Sequence, residues 1–557
     1  MASRDASTSS TVHARSASPS AKAFEADRLI AAARALRAQG RPREALAAAD
    51  QASALAPQRP DIWFVLATIR LDAHAFEGAA EAFARAASLT PDGSAAQRKL
   101  TIERMRALAL GGGWAEAVAC GDALIAAGDL DGPTHDALAA MFAQTMLFER
   151  ALHHAEAAAA ALPNDPGAYY NLGTCARFLG RTIEARAAFE RAIALDPGHD
   201  RAHAALSAVV KARDDDNRVD RLAAAQARTR PDSVSAARLA YAQFKELDDL
   251  GRRAEAWAAL EQGAAIMRRL ARYDAAAMRA QVDALKTHFS AIPEASPRAG
   301  GPRPIFVVGL PRSGTTLVER ILGAHGDVFA MGEMPHFGLA VKRAARTPGR
   351  ALFDVETIAA AARADWEAVA AFYWRETRYL AGDARIVTDK LPHNADYCGL
   401  MARAFPQCGI VEVRRAPMDG LFGAYKLQFG DLYRWSYAFD DLAAHYALHE
   451  DMMAHWRAVL GARLVTVTLE DLIDDPDREV RALLAALDLP FDPACLAPHA
   501  SAQGVSTASA AQVRQPINRQ GVSAWRAYAA QLEPLRAALE RDGFVDASGD
   551  PLKGSEG

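Results

Sequence analysis

The chain has 557 residues, 51% of them apolar, which is enough for roughly two to four domains with filled cores. A net charge of −4 gives no case for general nucleic-acid binding. No stretch approaches the roughly 18 consecutive apolar residues that span a bilayer. Cys120, Cys175, Cys398, Cys408 and Cys495 have neither zinc-site nor disulfide-framework spacing, which favours a reducing compartment.

In chain order, residues 1–22 are rich in Ser and Ala and lack the apolar run of a secretory signal. They read as a disordered tail, with a transit peptide as the alternative, and the expected location is cytoplasmic. From 23 to 290 the pattern is helical and alanine-rich. The segments RPREAL, AFEGAA, GWAEAV, LFERAL and RTIEAR align with alanine fifth, at Ala45, Ala79, Ala117, Ala151 and Ala185, spaced 34, 38, 34 and 34 residues apart. Such a period describes stacked helix pairs, because a small residue at a fixed place lets the partner helix approach. Pro57 and Pro91, and again Pro163 and Pro197, fall one period apart.

Residues 166–197, PGAYYNLGTCARFLGRTIEARAAFERAIALDP, carry the Tyr, Leu-Gly, Ala and Pro positions of the tetratricopeptide repeat. The region resembles an array of that family, and 251–264 reads as a degenerate sixth copy or a cap. The resemblance implies an all-α solenoid whose groove takes a protein or peptide; a structural spacer is the other reading.

Residues 291–303, dense in Pro and Gly, read as a linker. Beyond it, Ile305, Phe306, Val307, Val308 and Leu310 suit a strand buried on both faces, and Leu317, Val318, Ile321 and Leu322 recur at helical spacing. Pro311–Thr316 is then a strand-to-helix turn that presents backbone N–H groups and a helix dipole to an anion. Gly309 and Gly314 allow close backbone approach. Against the Walker A pattern, Thr315 stands where the lysine should be, which disfavours triphosphate hydrolysis and a nucleotide kinase. Arg312 supplies charge from within the loop, so a phosphate-sulfate group fits better. A glycine-rich turn with no ligand is the bland alternative.

Strand-like runs at 385–389, 409–414 and 463–469, separated by helical stretches, describe an α/β domain with a mainly parallel sheet. Ligands sit at the carboxyl ends of such strands. There the sequence places Glu333 in FAMGEMPHF, Lys390 in TDKLPHN, Arg414 and Arg415 in VEVRRAPMDGLFGAY, and the polar segment TASAAQVRQPINRQGVSAW at 507–525.

In this order the stretches GLPRSGTTLVERIL, GEMP, DKLPHN, VRRAPMD and ASAAQVRQPIN resemble the sulfotransferase family, specifically the branch related to protein-tyrosine sulfotransferases. The expected fold is multidomain: an all-α tetratricopeptide solenoid followed by an α/β P-loop-type parallel-sheet sulfotransferase domain at 304–545, with a flexible C-terminus at 546–557. The resemblance implies PAPS as sulfuryl donor, PAP as product, and no metal. It implies that Arg312, Ser313, Gly314, Thr315 and Thr316 hold the 5′ phosphosulfate and that Arg415 pairs with the ribose 3′ phosphate. It further implies Glu333 as base, Lys390 near the bridging oxygen, and Ser509 beside the donor. Glu333 as a helix-start carboxylate and Lys390 as a surface lysine are the structural alternatives, and Arg414 is read as the structural member of its pair. His325, His336 and His393 lack metal-like spacing and stay outside the site.

Three positions depart from the family. Gly423 stands where a serine usually follows the phosphate-binding arginine, Leu469 replaces the tyrosine of a YED motif, and Ala524 replaces a basic residue before Trp525. Charged contacts of the kind lost contribute about 1.5–3 kcal/mol each. Arg514, Arg519 and Arg526 are the candidates for compensation. Two functions follow: a PAPS-dependent sulfotransferase acting on a hydroxyl, with tyrosine implied by the resemblance alone, or a repeat scaffold carrying a degenerate catalytic domain.

Overall fold

The computed structural model describes residues 19–128, 130–293, 301–347, 351–501, 503–507 and 512–552. Of the expected tail, residues 1–18 lie outside this set, and a helix, Pro19–Ala38, starts at once. Residues 294–300 of the expected linker and 553–557 of the expected flexible C-terminus also lie outside it. The chain forms two compact units, Met1–Asp129 and Leu130–Gly557.

The first unit pairs Pro19–Ala38 with Pro42–Leu55, Pro60–Asp72 with Phe76–Ser88, and Ala95–Leu110 with Trp114–Ala127. The second opens in the same way, pairing Gly132–Gln144 with Phe148–Ala161, Pro166–Phe178 with Thr182–Leu195, and Val234–Asp249 with Arg253–Leu270. The five repeat alanines and Ala256 of the sixth copy are all fully buried. Five residues before each lies the turn between paired helices, at Gly40, His74, Gly112, Met146, Gly180 and Gly251, with φ between 57° and 79°. Glycine adopts this left-handed conformation freely, whereas His74 and Met146 hold it at a cost of roughly 1–2 kcal/mol. The Leu-Gly position has a packing reason as well: a Cβ on Gly173 would lie 2.6 Å from the Phe189 ring.

The five strands are β1 (Arg303–Gly309), β2 (Val328–Ala330), β3 (Ile386–Lys390), β4 (Gly409–Arg414) and β5 (Leu464–Thr468). They form one sheet in the order β2-β3-β1-β4-β5, with every pairing parallel. In β1, Ile305 and Val307 pack with Val318, Ile321 and Leu322, while Phe306 meets the rings of Phe337, Tyr373 and Phe405. Both faces are covered, as the unbroken apolar run requires. After β1 the chain leaves toward β2, and after β4 toward β5. Their carboxyl ends therefore flank the point where the winding reverses, the usual place for a ligand in an open sheet.

The repeat helices of the second unit pack against the sheet region. Trp257 lies 6.1 Å from the Tyr425 ring and 5.6 Å from Tyr528. Arg268 pairs with Asp440 at 2.7 Å, Arg279 with Asp451 at 2.8 Å, and Lys286 with Asp451 at 2.7 Å. No described helix is long and apolar enough to cross a membrane.

Candidate functional site

The turn after β1 begins with Gly309 at φ 145°, where a Cβ would lie 2.5 Å from the Val413 carbonyl of β4. Arg312 follows in the left-handed region at φ 72°, then Gly314 at 106° caps the helix Thr315–Gly323. The Leu317 N–H bonds the Gly314 carbonyl at 2.9 Å, which leaves the N–H groups of Thr315 and Thr316 as the first-turn donors of a helix that begins beside the carboxyl ends of β1 and β4. Ser313, Thr315 and Thr316 are buried, and the Thr316 hydroxyl lies 3.3 Å from that of Thr507.

Arg415, just beyond β4, donates through Nη1 to the Arg312 carbonyl at 2.8 Å and through Nη2 to the Gly521 carbonyl at 2.5 Å. Arg312 donates to Gln512 Oε1 at 2.8 Å. Burial, and then the charge of Arg415, pull the Arg312 guanidinium down to about 10. Two polar atoms here, Ser313 Oγ and Arg415 Nε, are buried without a hydrogen-bond partner among the described residues. Buried polar groups are normally paired, and of these two residues Arg415 lines the crevice where an anion is expected. The donor set thus fits a phosphate-bearing ligand.

A cavity of about 300 Å³ opens here, walled by Arg312, Gly314, Thr316 and Arg415. The three departures from the family, Gly423, Leu469 and Ala524, line it too. Each has a packing partner. A Cβ on Gly423 would lie 3.1 Å from Arg312 Cβ, and Leu469 fills the space beside Gly314, where a Cβ would stand 2.8 Å from its Cδ1. Ala524 is held by its neighbours, since Asp419 accepts the N–H groups of Ser523 at 2.6 Å and Trp525 at 3.3 Å.

Across β1, Lys390 ends β3 opposite Val307 and is fully buried. Its Nζ lies 2.5 Å from Glu333 Oε1, so the expected base and the expected cation form an ion pair. A residue the sequence reading missed supports them. Glu319, on the helix Thr315–Gly323, accepts the Gly332 N–H at 3.0 Å and so fixes the segment that carries Glu333. Burial pushes its carboxyl up to about 7, against the opposing charge of Lys390. The sequence signal was Glu319-Arg320 inside an apolar helix; both are buried, and Arg320 donates to the carbonyls of Pro498, Ser501 and Gln503.

Other expected residues lie elsewhere. Ser509 is outside the described residues. Arg414 pairs with Glu450 at 3.1 Å, a structural role. None of the three arginines considered as replacements lines the cavity: Arg514 donates to the Phe178 carbonyl at 2.8 Å, Arg519 pairs with Asp474, and Arg526 pairs with Asp550 at 2.7 Å. Besides Arg312 and Arg415, Lys426, which follows the helix Pro417–Tyr425, lines it. Of the histidines left aside, His325 bonds the Pro490 carbonyl at 3.0 Å and His393 lies 3.6 Å from Asp396.

The repeats also touch this region. The Phe178 carbonyl accepts both Arg514 and the Val505 N–H, the latter at 2.8 Å, and a Cβ on Gly504 would lie 2.4 Å from the Phe148 ring. The turns at the repeat ends thereby position the segment on either side of the cavity wall.

A parallel sheet with a glycine-rich turn and a helix N-terminus after its first strand, and basic residues across the winding reversal, defines a P-loop-type α/β domain. The model described as "Sulfotransferase family" matches residues 304–493, and tetratricopeptide-repeat models match 30–94 and 166–199. The chain therefore joins tetratricopeptide repeats to a sulfotransferase-family domain. An uncharacterized protein of Aquifex aeolicus (strain VF5) is 32% identical over 257 residues, 43% of this chain and 33% of that protein, so the match spans about a third of the relative's length. The sulfotransferase domain of the Synechococcus PCC 7002 olefin synthase is 19% identical, covering 42% of this chain and 91% of that one, with a TM-score of 0.30. YrrB, a tetratricopeptide protein with an unusual peptide-binding site, is 18% identical, covering 38% of this chain and 96% of its own, with a TM-score of 0.25.

Proposed function

We propose that the chain is a cytoplasmic PAPS-dependent sulfotransferase that acts on a hydroxyl acceptor, first of all a protein tyrosine, with the repeats binding the protein or peptide that carries it. The observation that supports this most is the crevice between β1 and β4. There Arg312, Arg415 and Lys426 line one cavity, Arg415 Nε is buried without a hydrogen-bond partner among the described residues, and desolvation lowers the proton affinity of all three cations. Such a site is incomplete without an anion.

The donor supplies a sulfuryl group on an activated phosphate. Residues 312–316 hold the phosphosulfate through backbone N–H groups, the Ser313 hydroxyl and Arg312, and Arg415 faces the ribose phosphate. Sulfuryl transfer resembles phosphoryl transfer in that charge gathers on the leaving oxygen, so fixed cations lower the barrier. Lys390 provides one from a fully buried position. While it is paired with Glu333 its ammonium occupies that carboxylate's Oε1. Turning Lys390 toward the leaving oxygen frees Glu333 to take the acceptor proton, so one side-chain movement prepares both groups. Ser509 is assigned to the donor side by resemblance.

The second reading, a binding protein with a degenerate catalytic domain, draws on Gly423, Leu469 and Ala524 all lining the cavity. Transfer of radiolabelled sulfate from PAPS to a tyrosine-containing peptide library separates the two. The wild type transfers label, and Glu333→Gln slows it by about 10²-fold or more. Full activity in Glu333→Gln removes that residue as base, and no transfer by the wild type to any hydroxyl acceptor favours the scaffold.

A further inference from the structure

The helix Pro417–Tyr425 and the Lys426 that caps it form a wall shared by two cavities. One is the crevice already described. The other, about 570 Å³, lies against the repeat helices Asp200–Val209 and Val234–Asp249, and the two share Arg312, Gly423 and Lys426. Lys426 thus stands at a junction between the nucleotide crevice and the repeat surface.

The polar groups around it are already hydrogen-bonded, and the Lys426 ammonium is not. Arg415 bonds two backbone carbonyls and Arg312 bonds Gln512. Asp419 accepts the N–H groups of Ser523 and Trp525, and Asp248 accepts the Tyr528 hydroxyl at 2.6 Å. Lys426 Nζ lies 4.6 Å from the centroid of the Phe422 ring and has no hydrogen-bond or ion-pair partner among the described residues. Desolvation leads in lowering its proton affinity; Asp248 and, more weakly, Asp419 oppose this, and Arg312 and Arg415 add to it. A desolvated ammonium with three free donors, offset only by the Phe422 ring and the charges of Asp248 and Asp419 against two further cations, is stabilised by a multiply charged anion.

The geometry of Gly423 explains why the helix carries this lysine. Arg312 lies against the helix at Gly423, and the 3.1 Å that a Cβ would leave makes any side chain there a tight fit. A hydroxyl at 423 therefore competes with Arg312 for space. Lys426, one helical turn on and on the same face, reaches the cavity without that conflict.

We infer that Lys426 holds the ribose 3′ phosphate of the donor nucleotide, in place of the hydroxyl missing at 423, and sets the preference for a nucleotide bearing that second phosphate. This rests on the sulfotransferase reading. The test is calorimetric titration of the full chain with adenosine 3′,5′-bisphosphate and with adenosine 5′-monophosphate, in the wild type, Lys426→Met and Lys426→Arg.

The wild type binds the bisphosphate more tightly. Lys426→Met loses about tenfold to a hundredfold in bisphosphate affinity while its monophosphate affinity stays within about twofold, which also shows that the variant is folded. Lys426→Arg keeps the preference. A Met variant that retains the preference, or that weakens both nucleotides equally, overturns the role of Lys426 and leaves the sulfotransferase reading standing. A wild type that binds neither nucleotide overturns both.

Discussion

Replacing Gly314 with alanine tests the proposed phosphate-binding turn through two costs that can be separated. Gly314 sits at φ 106°, and a left-handed conformation costs an L-residue roughly 1–2 kcal/mol. The added Cβ would meet Leu469 Cδ1 at 2.8 Å and Cδ2 at 3.2 Å, and overpacking of this kind costs about 1–3 kcal/mol. The total, roughly 2–5 kcal/mol, appears as lower stability if the turn keeps its shape. If the turn relaxes, it appears as PAP affinity reduced by about 30-fold to several thousandfold. Denaturant unfolding and calorimetry with PAP, run side by side, capture both channels. Adding Leu469→Ala removes the clash and leaves the backbone cost, so the double variant loses less than the sum of the singles by about 1–3 kcal/mol. A Gly314→Ala protein that unfolds and binds PAP like the wild type refutes the reasoning.

The buried Glu319 predicts a pH effect. Its carboxyl is raised from 4.5 to about 7, so the unfolded chain ionises first, and stability falls as pH rises through that window, by up to about 3 kcal/mol. Glu319→Gln flattens this fall in denaturant titrations at pH 5 and pH 8; an unchanged pH slope counts against it. In the repeats, Arg218 Nη2 meets Glu246 Oε1 at 2.7 Å with both side chains buried, so Arg218→Met costs about 3–5 kcal/mol by stranding a charge, and Arg218→Met with Glu246→Leu restores much of it. Equal unfolding of single variant and wild type contradicts this. Arg514→Met, which removes one of the two hydrogen bonds on the Phe178 carbonyl and leaves that of the Val505 N–H, weakens PAP binding by about tenfold with little change in the unfolding midpoint. A midpoint shift with unchanged affinity makes Arg514 a fold residue instead.

The legible parts of this molecule were those with short-range causes. Ala45, Ala79, Ala117, Ala151 and Ala185 announced helix pairs because close helix approach requires a small side chain at one place in each period. The run from Ile305 to Val308 announced a central strand, and the strand expected at 409–414 is β4. What stayed hidden depends on residues far apart in the chain. The short edge strand β2, Val328–Ala330, has too few residues to show a period. Glu319 carries no mark of a support until the Gly332 N–H lies against it. Gly423 and Leu469 read as losses because the sequence cannot show Arg312 against one and Gly314 against the other. Lys426 went unnoticed for the same reason: it becomes a candidate ligand only once its neighbours are seen to be engaged.

The most direct test of the central claim is calorimetric titration of the full chain with PAP, in the wild type, Arg312→Ala and Arg415→Ala. The account predicts binding in the micromolar range for the wild type and its loss in both variants. Absence of wild-type binding up to millimolar nucleotide would contradict it.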